Sequence, residues 1–196
     1  MIQKPGVSHE LIRYMLCKEK MGNNRNLKTY NILLPIWMLI FLPTWLWLVL
    51  IPANYLIDRI VLRWSLGDTP DKGLFCRKHT WKICLAGFLS DFIGALIMFA
   101  VFMASAVSES GSSANAFLEK IAYGVGFNPF GSLAGFLAVS LSVAAAGAAI
   151  YLLDRRILTR AGLDAAQAKK SAMRLALITA PYLYYFPSEI LYSSGI

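Results

Sequence analysis

The stretch that decides the fold is GSLAGFLAVSLSVAAAGAAIYLL, residues 131–153, which contains no Asp, Glu, Lys or Arg. An α-helix rises about 1.5 Å per residue, so about 20 apolar residues cross a hydrocarbon core of about 30 Å. A charged side chain at the bilayer centre costs roughly 2.5 to 3.5 kcal/mol even on the most lenient scale. We therefore predict that this stretch is a transmembrane helix.

The overall composition supports the same conclusion. The chain has 196 residues, of which 57% are hydrophobic and 15% are charged, and its net charge is +8. A soluble domain carries charge at about a quarter of its positions. Cys17, Cys76 and Cys84 are too few and too irregularly spaced for a disulfide framework or a zinc site. We predict an all-α integral membrane protein without a metal or cofactor.

Three other intervals have almost no charge and are predicted to lie in the membrane. They are residues 29–57, 83–108 and 175–188. The second interval carries a single charge, on Asp91, and is long enough for one span. The last interval is too short unless its helix starts near Ala172 and continues past Pro187. The predicted fold therefore has about four hydrophobic segments.

The Lys and Arg residues predict the orientation. Six precede residue 29, six lie in residues 58–82, one in residues 107–130 and six in residues 154–174. Cationic loops stay in the cytoplasm, so we expect residues 58–82 and 154–174 on that side of a multi-pass protein of the cell membrane. Its partners would be the bilayer, with anionic lipid at the cytoplasmic face, and we expect no nucleic acid.

Residues 1–30 are predicted to form a basic N-terminal segment ahead of a single transmembrane domain, residues 31–196. The segment has no secretory signal pattern. Ser8 can cap a short amphipathic helix. Such a helix suits the cytoplasmic membrane surface or packs on the protein's own cytoplasmic loops, and the sequence leaves both open.

The interval 29–57 has cations on both flanks, so a simple crossing would leave six of them on the wrong side. It contains Pro35, Pro43 and Pro52, and a proline removes a helical hydrogen bond and clashes with the preceding turn. A break at Pro43 leaves two pieces of about a dozen residues, which suits a re-entrant hairpin. The alternative is one kinked span with an external N-terminus.

Two segments of the chain match each other. YLIDRIVL, residues 55–62, and YLLDRRIL, residues 151–158, share five of eight residues. Each is followed by a polar connection and a basic helix start. We interpret these matching segments as marks of parallel repeats, residues 31–107 and 121–193, with a convergent membrane-exit signature as the alternative.

Each matching segment holds an acidic residue followed by an arginine: Asp58-Arg59 and Asp154-Arg155. A carboxylate near a helix C-terminus opposes the helix dipole, and sequence neighbours on a helix do not face each other. We therefore expect a cation from the following helix to pair with each aspartate, Lys82 with the first and Arg174 with the second. Such pairs would clamp the helices or take part in gating or substrate contact.

Asp91 is the one ionisable residue deep in a predicted span. It shares a helix face with Gly87 and Ala95, and Ser90 lies alongside. Small neighbours admit another helix or water, so we expect Asp91 to face protein or solvent and not lipid. It would carry a proton or supply the negative charge of a cation site; alternatively, it only binds a neighbouring helix.

The region before and within residues 131–153 is rich in small side chains. Residues 121–130 are aromatic and glycine-rich and are predicted to form an interfacial loop. Gly131 and Gly135 form a GxxxG motif that lets helix backbones touch. The partner would be the second span or the same helix of another copy.

Enzyme motifs are mostly absent, since the sequence has no HExxH, P-loop or GxSxG pattern, and an enzyme is the least favoured class. We predict a small membrane channel or carrier for an ion or small solute, homo-oligomeric because so few helices rarely enclose a pathway. The alternative is an accessory or scaffold subunit of a larger membrane complex. The candidate transport residues are Asp91, Ser90, Asp58, Arg59, Asp154, Arg155, Lys82 and Arg174.

Overall fold

A computed structural model describes residues 35–42, 44–67, 71–107 and 113–190, so the predicted N-terminal segment lies outside the described residues. The described chain is helical and contains no strand, as predicted. Its α-helices are α1 (Trp47–Leu66), α2 (Lys72–Val107), α3 (Ser113–Gly126), α4 (Leu133–Arg160) and α5 (Ala165–Thr179). Short 3₁₀ helices cover Ile36–Ile40, Pro129–Gly131 and Tyr182–Tyr185.

Helices α2 and α4 are long and apolar enough to cross a membrane. They have 36 and 28 residues, or about 54 and 42 Å at the rise of an α-helix. Both exceed the charge-free intervals that predicted them, because α2 starts at Lys72 and α4 continues beyond Leu153. At these ends most of the cations are exposed, while a stripe of small and apolar residues stays buried. Packing of this buried stripe allows each helix to continue beyond its charge-free interval.

The first hydrophobic segment is interrupted between Ile40 and Trp47, on either side of Pro43, which itself lies outside the described residues, and its second limb is longer than predicted. The 3₁₀ helix Ile36–Ile40 ends in a turn, and α1 begins at Trp47. The indole Nε1 of Trp47 donates a hydrogen bond of 3.2 Å to the Leu39 carbonyl, which ties the limbs together. With 20 residues, α1 is about 30 Å long, more than a limb of about a dozen residues would provide.

The last charge-free interval does not reach span length, because its helix does not continue past Pro187. Helix α5 ends at Thr179, because Pro181 lacks an N–H and its ring clashes with a preceding helical turn. The helix begins at Ala165, earlier than expected, because the Asp164 carboxylate caps its N-terminus. At 15 residues, α5 is about 22 Å long, which is shorter than a full span.

The loop predicted at residues 121–130 is wrong over its first six residues, since α3 continues to Gly126, and a turn follows only from Phe127 onward. Gly124 of α3 crosses Gly135 of α4 with the backbones in contact: a Cβ on Gly124 would lie 2.6 Å from the Cα of Gly135. Close packing of this kind outweighs the low helix propensity of glycine. Gly131 is exposed and takes no part in this crossing. Gly135 packs on α3, which is neither of the two partners predicted for the GxxxG motif.

Helices α1, α2, α4 and α5 pack as a ring, and α3 lies against α2 and α4. The ring has an apolar core at each end. The basic-end core consists of Val61, Leu62, Leu66, Cys76, Ile83, Leu158, Ala168, Ala172 and Leu175. The far core consists of Trp37, Ala95, Met98, Val125, Val139, Val143 and Tyr184. The ends of α1 and α4 meet the starts of α2 and α5 at the basic-end core, so both predicted cytoplasmic loops lie at one end of the ring.

Candidate ion-binding site

A polar cavity of about 140 Å³ lies between the two cores, where α1, α2 and the end of α5 meet. Its lining consists of Asn54, Ile57, Asp58, Cys84, Gly87, Asp91, Ile178, Thr179 and Ala180. A water molecule occupies about 30 Å³ of the liquid. The cavity therefore has room for several waters or for a small ion with part of its hydration shell.

Helical spacing brings the polar side chains to this cavity. Asn54 and Asp58 are four residues apart on α1, so they share a face. Cys84, Gly87 and Asp91 follow each other at intervals of three and four on α2 and likewise share a face. A Cβ on Gly87 would meet no atom within 4 Å, so this glycine leaves open space one turn from Asp91.

Asp58 is 5% exposed, and its carboxyl group is hydrogen-bonded to the thiol of Cys84. The predicted pairing with Lys82 does not form. The Lys82 side chain is exposed, and its Nζ lies 5.9 Å from the ring centroid of Trp81. Because Lys82 precedes Cys84 by two residues, the two side chains point to different faces of α2, and the thiol takes the place expected for the cation.

Asp154 is 0% exposed, and within the described ranges neither carboxylate oxygen has a hydrogen-bond partner. The predicted pairing with Arg174 does not form either. The Arg174 guanidinium lies 4.4 Å from the ring centroid of Trp64 on α1, a cation–π contact. Asp154 does lie close enough to Asp58 for their charges to interact.

Asp91 also lies within electrostatic range of Asp58. Its Oδ1 is buried and has no hydrogen-bond partner in the part of the chain that the structure describes. The Tyr184 hydroxyl donates a hydrogen bond of 2.6 Å to the Asp91 backbone carbonyl. Ser90 faces away from the cavity lining, and its Oγ donates to the Ala86 carbonyl at 2.8 Å.

The cavity is acidic and has no positive side chain in its described lining. Arg59 is half-buried and Arg155 is exposed, and neither contributes to the lining. Among the described residues, no group of three or more His, Cys, Asp or Glu side chains is arranged to hold a metal ion. The arrangement therefore offers negative charge to a proton or a weakly held monovalent cation and lacks the ligands of a tight divalent site.

Sequence reasoning missed three polar residues of the lining: Asn54, Cys84 and Thr179. The first two lie four and seven residues from the predicted Asp58 and Asp91, so helical periodicity could have indicated them. Thr179 belongs to a helix distant in sequence, and only the packing of α5 against α1 brings it to the cavity.

Comparison of the chain with protein-family models, curated proteins and solved structures yields no match. The class of protein is therefore inferred from its fold and its site alone. The protein is all-helical in its described part, has two helices of membrane-spanning length, and has an acidic cavity between two apolar cores.

Proposed function

We propose that this protein is a small multi-pass channel or carrier of the cell membrane that moves a proton or small cation and works as a homo-oligomer. The acidic cavity carries the proposal. Asp58 and Asp91 face a space of about 140 Å³ between α1, α2 and the end of α5. Carboxylates in an interior of low effective dielectric constant attract cations far more strongly than carboxylates in water, and no cation of the described lining competes for them.

The surface supports a place in the bilayer. Leu48 of α1, Leu85 of α2 and Leu141 of α4 are each more than half exposed, whereas Asp58 and Ser142 are buried. A helix bundle in water shows the opposite pattern. Apolar outer faces are stable when lipid surrounds them, since lipid tails do not penalise exposed leucine.

The charges support the predicted orientation. The cations of residues 58–82 and 154–174 gather around the basic-end core, as the positive-inside rule expects of cytoplasmic loops. Trp64 and Trp81 are exposed beside them, and tryptophan is enriched at membrane interfaces. Lys and Arg at this level attract the headgroups of anionic lipid.

For the first hydrophobic segment we keep the re-entrant hairpin as the proposal and the kinked span as its rival, since α1 alone, at 20 residues, has the length of a span. Trp37 packs in the far core, where its Nε1 donates a hydrogen bond of 2.8 Å to the Val125 carbonyl. From there α1 runs back to the basic end. A tag at the N-terminus should be accessible only from the cytoplasmic side of sealed vesicles, and access from outside would establish the kinked span.

The match between residues 55–62 and 151–158 supports duplication. Asp58 and Asp154 are buried at equivalent positions of the matching segments, as are Leu62 and Leu158. In both pairs, α1–α2 and α4–α5, the first helix carries the matching segment and the second begins with basic residues.

The closed ring supports oligomerisation. Because an apolar core closes each end of the ring, passage of cargo requires a rearrangement or a second copy.

An accessory or scaffold subunit remains the second candidate, favoured by an apolar groove of about 330 Å³ between α4 and α5. Its floor includes the small residues Ala144, Gly147, Ala148 and Ala176. Small residues let a helix of another membrane protein approach closely.

Flux measurements in sealed liposomes separate the two candidates. We expect purified protein to pass protons or monovalent cations, and we expect Asp91→Asn to abolish the flux. Asp71→Asn is the matched control, because Asp71 is exposed at a turn with φ 57°, a conformation that asparagine tolerates. Absence of flux for several ions, with a second polypeptide co-purifying in fixed ratio in mild detergent, would support the accessory subunit.

A further inference from the structure

Asp154 lies beside the proposed cation site but is closed off from it. Its side chain is 0% exposed and is not part of the cavity lining. We propose that Asp154 is a proton-binding site that exchanges its proton with the cavity through Asp58. This inference rests on the proposed function and identifies the proton as the ion handled there.

The surroundings of Asp154 select the proton over other cations. Neither carboxylate oxygen has a hydrogen-bond partner among the described residues. A metal or monovalent cation needs several oxygen ligands, and no such cluster occurs in the described ranges. A proton needs one carboxylate oxygen and no additional space.

Within the described ranges, no positive side chain from the helices packed around α4 compensates Asp154. Asp58 of α1 adds negative charge. Asp91 and Cys84 of α2 interact with Asp58, and the guanidinium of Arg174 on α5 stacks on a tryptophan of α1. Helix α3 crosses α4 at the opposite end of the ring. A bare buried carboxylate is very costly, so a proton supplies the missing charge.

Asp58 links the buried Asp154 to the cavity. It lines the cavity and lies within electrostatic range of both Asp91 and Asp154. A proton leaves water in the cavity, binds a carboxylate oxygen of Asp58 and passes to Asp154, and the reverse steps return it. Toward the basic end Leu62 and Leu158, both 0% exposed, close the route.

Infrared spectroscopy of the purified protein tests this site without a transport assay. A protonated carboxyl group has a C=O band separate from the bands of a carboxylate, and the band shifts as its proton exchanges in D₂O. We expect this band in the wild type at neutral pH, its loss in Asp154→Asn and its retention in the exposed control Asp71→Asn. In Asp58→Asn the band should persist while its shift in D₂O slows.

A wild type without the band, or a band that persists unchanged in Asp154→Asn, would overturn the inference. If Asp154→Asn does not fold, Asp154→Leu removes the same carboxyl group without adding a polar one. Wild-type protein labelled with ¹³C-carboxyl aspartate shows, without a substitution, whether the band comes from an aspartate. A band that fails to shift with this label belongs to another residue type and also overturns the inference.

Failure of the inference and failure of the proposed function give different results. Flux that is lost in Asp91→Asn, without a band from Asp154, leaves the channel or carrier standing and rejects the proton site. A band assigned to Asp154 in a protein without any flux retains the proton site and rejects the channel or carrier.

Discussion

The matching segments of α1 and α4 have equivalent positions in the ring but different surroundings. Asp58 and Asp154 are both buried, and the leucines four residues later, Leu62 and Leu158, both belong to the basic-end core. Asp58 nevertheless opens onto the cavity, whereas Asp154 is sealed. The segment itself therefore determines depth and burial, and the neighbouring helix determines access to water.

Two residues of α2 account for the access of Asp58. The thiol of Cys84 provides a hydrogen-bond donor, and Gly87 leaves open space on the same helix face. Asp154 has no donor within the described residues. In our proposals the same signature therefore has two roles, a cation contact in α1 and an internal acid in α4.

The largest expected effect tests the equivalence of the two segments. Leu62→Ala and Leu158→Ala should each destabilise the fold by about 2–5 kcal/mol, because both remove a fully buried side chain from one core. Thermal unfolding in detergent measures the loss. Leu152→Ala is the control, since Leu152 is more than half exposed and should change stability little. A small effect at one core leucine alone would break the equivalence.

Asp154→Leu should raise stability, whereas Asp58→Leu should not. The first substitution removes a buried polar group without a partner, which is worth about 1–3 kcal/mol. The second removes the hydrogen bond with Cys84 and places an apolar side chain in a polar cavity. The melting temperatures of the two variants measure the difference. Destabilisation by Asp154→Leu would mean that Asp154 has a stabilising partner.

Cys84→Ala should make Asp58 resemble Asp154 by removing its donor. We expect a loss of about 1 kcal/mol for the hydrogen bond and reduced flux. Cys84→Ser keeps a donor of similar size and should retain both stability and flux. Equal behaviour of the two variants would show that the thiol contact has no part in the site.

The smallest expected effect concerns Arg174. Its contact with exposed Trp64 is worth about 0.5–1 kcal/mol, so Arg174→Ala and Trp64→Leu should each cost about this much. The double variant should cost less than the sum of the two, because both single variants remove the same contact. A loss of about 3–5 kcal/mol in Arg174→Ala is the size expected for a broken buried ion pair. That result would show that Arg174 pairs with Asp154.

The sequence allows prediction of those features that depend on local pattern. Lack of charge predicted the apolar parts of α2 and α4, and proline content predicted the break before Trp47. The cost of charge in lipid singled out Asp91, which lines the cavity, and its function stays a prediction. Each of these depends on residues that are neighbours in the chain.

The remaining features depend on contacts between distant residues. Lys82 and Arg174 have long side chains that reach aromatic rings as readily as carboxylates, so their partners could not be read from sequence. The helical course of residues 121–126 is stabilised by the crossing of Gly124 with Gly135. Thr179 reaches the cavity only through the packing of α5, which the chain order does not reveal.

Thiol accessibility tests most directly whether the two aspartates differ in access to water. In a background with Cys17→Ser, Cys76→Ala and Cys84→Ser, single Asp58→Cys and Asp154→Cys variants are treated in membranes with a small water-soluble thiol reagent. We predict that the Asp58→Cys protein reacts and that the Asp154→Cys protein does not. Equal reaction of both proteins, or reaction of the Asp154→Cys protein alone, would contradict the account.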